Sequence, residues 1–442
     1  MREIFINCFP LINYMEEDIH SYLITRKNDI KLLDVKERLI EIKPTKDFIL
    51  SIIGPRRSGK TYLLYFFIKD ISLSDSDYLF VNFEEIEGRI SDFITAHQEI
   101  YGKYPEYLFL DEIQSLKNWE KEVYRLYERK RFYIFLTGSS SKLLSKEIAT
   151  QLRGRSLTIK VFPFSFREVL FINKLAKKFY SYEEIGRIRN LLWNCIRNGC
   201  FPDIVLRKVE ASKFFSEYID LVIYRDIMER YGVKNRVALE FFIKNAIASS
   251  SCIFSINKVY NTMKSRQIKV SKNTLYEFQK FLMDINMIFF LKKYSRSIRK
   301  IELSLPKTYI VDNGLYTFTI YKYEKGILME SFVLQELVKR GYEPNINIFY
   351  LRDNNYEIDF IIRRGLNIEQ LIQVTYASDR DEIERREIKA LIKGSKLLGC
   401  KNLTLITWTY EDKMKVNNRI IKITPLWKWL LEQNKDKVFR NL

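Results

Sequence analysis

Nine residues, Gly54-Pro55-Arg56-Arg57-Ser58-Gly59-Lys60-Thr61-Tyr62, contain the first chemistry-bearing spacing of the chain: two glycines with four residues between them, then a lysine and a hydroxyl. Glycines so placed let the backbone turn back and aim successive N–H groups at one point, where the positive end of a following helix adds to the field. A phosphate chain is the ligand that fits. Lys60 would reach the β- and γ-phosphates of ATP, and Thr61 would offer its hydroxyl to Mg²⁺. The run Asp111-Glu112 supplies the second element. Asp111 would orient the Mg²⁺ shell, and Glu112 would polarise an attacking water, which implies hydrolysis as well as binding. Thr137 and Ser139 follow as hydroxyls that sense the γ-phosphate or cap the next helix. Arg153 and Arg155, on either side of Gly154, are either arginine fingers for a neighbouring copy's site or partners of local carboxylates.

These residues need a scaffold that brings strand ends together. Apolar runs at Phe48 to Ile53, Tyr78 to Phe83, Tyr107 to Leu110, Phe132 to Leu136 and Leu157 to Val161 read as buried strands, and they alternate with helical segments such as Thr61 to Lys69. That alternation predicts an α/β fold, a doubly wound parallel sheet with its functional edge at the carboxyl ends of the strands.

The chain has 442 residues, 47% of them hydrophobic, enough for roughly three domains of ~150 residues. Lys and Arg number 74 against 55 Asp and Glu, a net charge of +19. Such a balance favours a polyanion, nucleic acid or an acidic membrane surface, although a basic surface that is merely soluble has the same composition. Five scattered cysteines without CxxC spacing and two distant histidines support neither a disulfide framework, nor a zinc site, nor histidine-based catalysis. The amino-terminal stretch has no signal-peptide pattern, and no apolar run approaches the ~18 residues of a membrane span. A cytoplasmic protein without a membrane partner is the expectation.

Between residues 236 and 300 the pattern is that of a small helical module. Ser255 and Ser271 are N-caps by type, and Leu275, Phe278 and Leu282 mark the apolar stripe of the last helix. The opposite face presents Lys272, Asn273, Tyr276, Gln279 and Lys280, residue types suited to phosphates and base edges of DNA. An apolar strand follows, then Lys292, Lys293, Arg296, Arg299 and Lys300, the basic cluster of a wing. A packing module with a solvated charged face is the alternative.

The segments GPRRSGKT, LFLDEIQ, LTGSSS, LRGR and FPFSFREVL, followed in order by GCFPDIVL, YRDIMERYGVKN, YIVDNGLY, MESFVLQEL and EIDFII, resemble the AAA+ ATPases of archaea and bacteria that carry a C-terminal restriction-endonuclease-like domain. The resemblance runs over nearly the whole chain. It implies an AAA+ core over 1–175, a helical lid and connector over 176–235, a winged-helix module over 236–318 and an α/β nuclease-like domain over 325–442.

In that last domain the expected order is helix, three strands, helix, strand. Glu357 and Asp359 share one face of a strand by the period of two, and Glu330 approaches from the helix, so Glu330 and Asp359 are the expected metal ligands. Where such nucleases carry Glu-x-Lys, this chain reads Gln373-Val374-Thr375. One ligand is neutral and the lysine is missing, with Arg386 and Lys389 of the next helix as substitute cations. The domain is therefore expected to bind nucleic acid without cutting it. The whole reads as a Mg²⁺-dependent ATPase coupled to DNA binding, with a homo-oligomer as one way to complete the ATP site. A nucleotide-controlled switch acting on a protein partner and an ATP-gated nuclease are the rival readings.

Overall fold

The computed structural model describes residues 11–138, 154–176, 180–321, 323–353 and 356–432, with the backbone alone for 11–18. The chain divides into two compact units. The first comprises residues up to Pro55 and Gly59–Val161; the second comprises Arg56–Ser58 and everything from Phe162 onward.

The first unit is built on a parallel sheet of β1 (Ile49–Ile53), β2 (Tyr78–Asn82), β3 (Tyr107–Asp111), β4 (Tyr133–Gly138) and β5 (Ser156–Lys160), in the order β2-β3-β4-β1-β5. Both faces are covered over β1–β4, so those strands read as largely apolar runs, whereas the edge strand β5 is half-exposed. The period of two sorts their side chains between the faces. Ile49, Ile53, Leu79, Val81, Leu108 and Leu110 pack on one side with Leu23 of α1 (Leu11–Leu32) and Phe93 of α3 (Ile90–Tyr101). Leu50, Ile52, Phe80, Phe109 and Phe135 pack on the other with Leu63, Leu64 and Phe67 of α2 (Lys60–Asp70). There the Phe67, Phe109 and Phe135 rings stand 4.8–5.2 Å apart along the chain of contacts, geometry that adds ~0.5–1.5 kcal/mol per pair beyond area burial. The topology has a direct consequence for chemistry. Strands β1, β4 and β3 are neighbours, so the turn after β1, Thr137 at the end of β4 and Asp111 at the end of β3 share one sheet edge.

The second unit opens with helices Phe166–Ile172, Tyr182–Asn198 and Ala211–Leu221, the last running into a π-helical stretch Val222–Glu229. Three helices follow, Arg236–Ala248, Ile256–Ser265 and Lys272–Asp284. Each starts at a side chain that satisfies an orphan backbone donor: Asn235 accepts from the Ala238 N–H, Ser255 from Lys258 and Ser271 from Thr274. Leu275, Phe278 and Leu282 are buried, as their spacing requires. Strands β6 (Ile288–Leu291) and β7 (Lys307–Ile310) then pair antiparallel, and the basic stretch between them contains a short helix, Ile298–Glu302.

The rest is a mixed six-stranded sheet, β12-β13-β11-β10-β9-β8. Helix Lys325–Lys339, strands β8 (Ile348–Asp353), β9 (Tyr356–Arg364) and β10 (Asn367–Val374), helix Arg385–Leu398 and β11 (Leu403–Thr407) follow one another in the expected order. A hairpin of β12 (Asp412–Val416) and β13 (Arg419–Pro425) and a helix Leu426–Leu431 extend it. The sequence reading omits that hairpin because β12, DKMKV, is a sheet-edge strand with no fully buried side chain, and lysines on an edge hide a strand's apolar signature.

Candidate functional site

At the mouth of the first sheet the backbone leaves β1 at Gly54 and re-enters helix at Lys60. Gly59, the N-cap of α2, has φ 92° and ψ 28°, a left-handed conformation that strains any residue with a Cβ. The glycine is therefore a condition of the turn. Lys60 is buried, and its Nζ donates to the carbonyls of Gly54 at 3.2 Å and Pro55 at 3.1 Å, across the concave side of the loop.

Asp111 closes the other side. It is fully buried, and it accepts from Thr61 Oγ1 at 2.9 Å and from the Thr137 hydroxyl. Thr137 Oγ1 in turn accepts the Glu112 N–H at 3.0 Å. Burial, then the adjacent Glu112 carboxylate, raises the Asp111 pKa to about 6, against the lowering effect of the two hydroxyls and Lys60. An isolated interior carboxylate is costly unless compensated. Here the compensation is incomplete, which suits a group that meets a cation in its working state. Glu112 sits at φ 49° just past the strand, and its side chain accepts from Gln114. The oxygens of Thr61 and Asp111 are the hard donors that Mg²⁺ takes, few enough to leave room for water and phosphate oxygens.

The structure brings Gly54, Gly59, Lys60, Thr61, Asp111, Glu112 and Thr137 together. Other expected members are placed differently. Arg56, Arg57 and Ser58 group with the second unit, where Arg56 Nε donates to the buried Asp226 at 2.8 Å and the Arg57 guanidinium lies over the Phe214 ring at 5.2 Å. Tyr62 is exposed and packs edge-on against Tyr65. Arg155 donates to Glu128 and to the Tyr124 hydroxyl and lies over the Tyr124 and Tyr127 rings, so of its two readings the local pairing is the one seen. Ser139 and Arg153 lie outside the described residues.

In the second unit the expected carboxylates do converge, on a residue the sequence reading did not name. Lys307, the first residue of β7, is 2% exposed, and its Nζ stands 2.8 Å from Glu330, 2.7 Å from Glu357 and 3.5 Å from Asp359. The Tyr309 hydroxyl donates to Glu330 at 2.6 Å. Asp359 accepts the Val374 N–H at 2.9 Å, and its own N–H meets Gln373 Oε1 at 3.4 Å. Burial alone would lower the lysine's pKa, but Glu330, Tyr309, Asp359 and Glu357 together hold it well above the usual value. Burial, then Glu330, pushes Asp359 well above the carboxylate range.

Two expectations bear on this cluster. The cation comes from β7, whereas Arg386 pairs with Glu384 and Lys389 is exposed. Glu330 and Asp359 face an ammonium where metal coordination was expected, and among the described residues no group of three His, Cys, Asp or Glu is disposed to hold a metal ion. The signal available in the sequence was a lone charge opening the strand KTYI, which the structure buries throughout.

The basic residues expected to meet DNA fall into two sets. Lys272, Asn273, Tyr276 and Lys280 are exposed along helix Lys272–Asp284. Of the second set, Lys292 is paired with Glu302 at 2.5 Å, Lys293 lines a cleft, and Arg296 is exposed. Among the described residues no helix is long and apolar enough to cross a membrane.

Known proteins resemble the chain over most of its length. A family model described as an AAA domain matches residues 46–170, and two models described as domains of unknown function match 189–322 and 325–429. A Methanocaldococcus jannaschii protein, "Uncharacterized protein MJ1544", is 38% identical over 416 residues, covering 91% of this chain and 92% of its own. A Haemophilus influenzae protein, also uncharacterised, is 29% identical over 430 residues, 93% and 99% of the two chains. Among solved structures, the Walker-type ATPase of Pyrococcus abyssi aligns with TM-score 0.41 at 15% identity, over 69% of this chain and 96% of its own. The Aeropyrum pernix ORC1 protein in complex with DNA aligns with TM-score 0.29 at 10% identity, over 76% and 96%. The chain thus belongs to one family with the M. jannaschii protein, and its residues 46–170 match an AAA domain.

Proposed function

We propose that the protein is a Mg²⁺-dependent ATPase whose turnover is coupled to DNA binding. The observation that carries the first half is the convergence of the Thr61 and Thr137 hydroxyls on buried Asp111, opposite a glycine-bracketed turn spanned by Lys60. Thr61 and Asp111 would hold Mg²⁺, which when bound neutralises charge on the phosphate oxygens. Lys60 exchanges its two loop carbonyls for the β- and γ-phosphates and carries charge that develops there. Glu112 accepts the proton of the attacking water, and Thr137, fixed between Asp111 and the Glu112 N–H, holds the two carboxylates in register.

The net charge of +19 and the exposed Lys272, Asn273, Tyr276 and Lys280 support the second half. The C-terminal sheet serves as a binding platform, because its carboxylates are committed to Lys307. The test is steady-state ATP hydrolysis with and without DNA, in the wild type, Lys60→Ala and Glu112→Gln. Wild-type turnover should exceed both variants by at least 10²-fold, in line with ~10²–10⁴ for general acid–base groups, and should rise with DNA. Equal rates in all three would remove the enzyme assignment. Turnover indifferent to DNA but sensitive to a protein partner would favour the rival switch.

A further inference from the structure

Beside the Lys307 cluster lies a cleft of about 800 Å³ between residues 293–305 and the hairpin of β8 and β9. Its two sides are tied into one piece of backbone. Tyr294 N–H donates to the Tyr350 carbonyl at 2.7 Å, Tyr350 N–H to that of Lys292 at 3.3 Å, Lys293 N–H to Ser304 Oγ at 3.1 Å, and the Tyr350 hydroxyl to the Leu305 carbonyl at 2.5 Å. The cleft is thus preformed.

Three cations, Lys293, Lys300 and Arg352, line it, and Asp353 is the acid among the described lining residues. Between the cations the walls are apolar or aromatic. Leu303 is 75% exposed, Leu305 51% and Leu397 57%, and Tyr294 and Tyr356 border them. Uncovered leucines of this size, clustered at one place, mark a surface that something covers. The alternation of cations with flat apolar surface is what one strand of nucleic acid uses, its phosphates on the lysines and its bases against aromatic and apolar faces. The volume falls among small-ligand clefts, ~300–1,000 Å³. A few nucleotides of a single strand enter such a space, and a duplex does not.

We infer that this cleft is a single-stranded nucleic-acid site, separate from the duplex-facing helix Lys272–Asp284. The inference rests on the reading that the protein binds DNA, and names which form of it this part of the chain takes. Three phosphate contacts contribute a slope of about −2 to log K against log salt, at ~0.7 per contact on a single strand.

The test is fluorescence anisotropy with a labelled oligothymidine, a duplex of equal length and poly-glutamate as competitor, on the full chain and on Lys293→Ala/Lys300→Ala, with circular dichroism melting as the fold control. The double variant should lose at least tenfold in oligothymidine affinity, its salt slope should be shallower by about 1.4, and duplex affinity should fall by a clearly smaller factor. Equal loss on both nucleic acids, no loss on either, or competition by poly-glutamate as strong as by oligothymidine would overturn the cleft assignment while leaving DNA binding intact. A wild type that binds neither nucleic acid would overturn both.

Discussion

Replacing Lys307 by Met removes one buried positive charge from among three carboxylates, of which Asp359 is buried and Glu330 and Glu357 are half-buried, while keeping the volume of the stem. The lysine is 2% exposed and within 2.8 Å of both Glu330 and Glu357, with Asp359 at 3.5 Å. Breaking a buried pair by deleting one partner costs ~3–5 kcal/mol. A second route gives a ceiling. The stranded carboxylates escape by taking up protons, and protonating one glutamate with an ordinary value of ~4.3 at pH 7 costs about 3.7 kcal/mol at ~1.36 kcal/mol per pH unit. Both routes place the loss near 3–4 kcal/mol, which at ~2 °C per kcal/mol for a large domain lowers the melting midpoint of the second unit by roughly 6–8 °C. The loss also has a pH signature. The variant's native state holds protons that its unfolded state releases, so its stability rises as pH falls from 7 toward 5. Differential scanning calorimetry at pH 5, 6 and 7 reads both effects. A midpoint within 2 °C of wild type at pH 7, or a deficit that widens at pH 5, would refute the view that Lys307 is the cluster's essential counter-charge.

Other outcomes follow from single sites. With Asp111 raised to about 6 by burial and Glu112, Mg²⁺-dependent ATP affinity should fall up to tenfold per unit as pH drops below 6, and Thr137→Val, which deletes a donor to the charged form, should move that midpoint upward. A flat profile from pH 5 to 7 contradicts it. Lys27, buried with its Nζ 2.5 Å from the Asp75 carbonyl and 4.0 Å from the Tyr101 ring, is lowered to about 7 mainly by burial. Its unfolded state holds a proton that the native state has lost above pH 7, so stability of the first unit should rise by roughly 2 kcal/mol from pH 7 to 9, a rise absent in Lys27→Met. Calorimetry in which both proteins show the same slope would exclude it. Gly199→Ala should destabilise more than Gly394→Ala. Gly199 has φ 89° and a Cβ there meets Asp312 Oδ1 at 2.0 Å, a carboxylate fixed by the Cys200 and Gly314 N–H groups. At Gly394 the obstacle is the flexible end of Ile358. Urea unfolding should give ~2–4 kcal/mol against about 1, and the reverse order would be a failure.

What the sequence reveals and what it hides divide by the range of the determining contacts. The turn after β1 is legible because Gly54, Gly59, Lys60 and Thr61 are set by local backbone geometry, and Asp111 and Thr137 because each ends an apolar run whose length fixes its position. Strand order then places them at one edge. Arg56 illustrates the limit. Its position beside Lys60 suggests phosphate, whereas its partner is Asp226, a pairing that no local pattern encodes. Lys307 is the same case in stronger form. The expected lysine position, just past β10, carries Thr375, and the ammonium arrives from another strand by tertiary folding. Sequence spacing cannot register a charge supplied from a different element.

On the proposed reading, the loop from Gly54 to Thr61, closed by Asp111, holds a magnesium-bound triphosphate. Equilibrium titration of ATP with Mg²⁺ onto the wild type, Lys60→Ala and Glu112→Gln tests it most directly. Wild type and Glu112→Gln should bind alike, and Lys60→Ala should bind on the order of 10²-fold more weakly. Three matching isotherms, or none showing saturation, would contradict it.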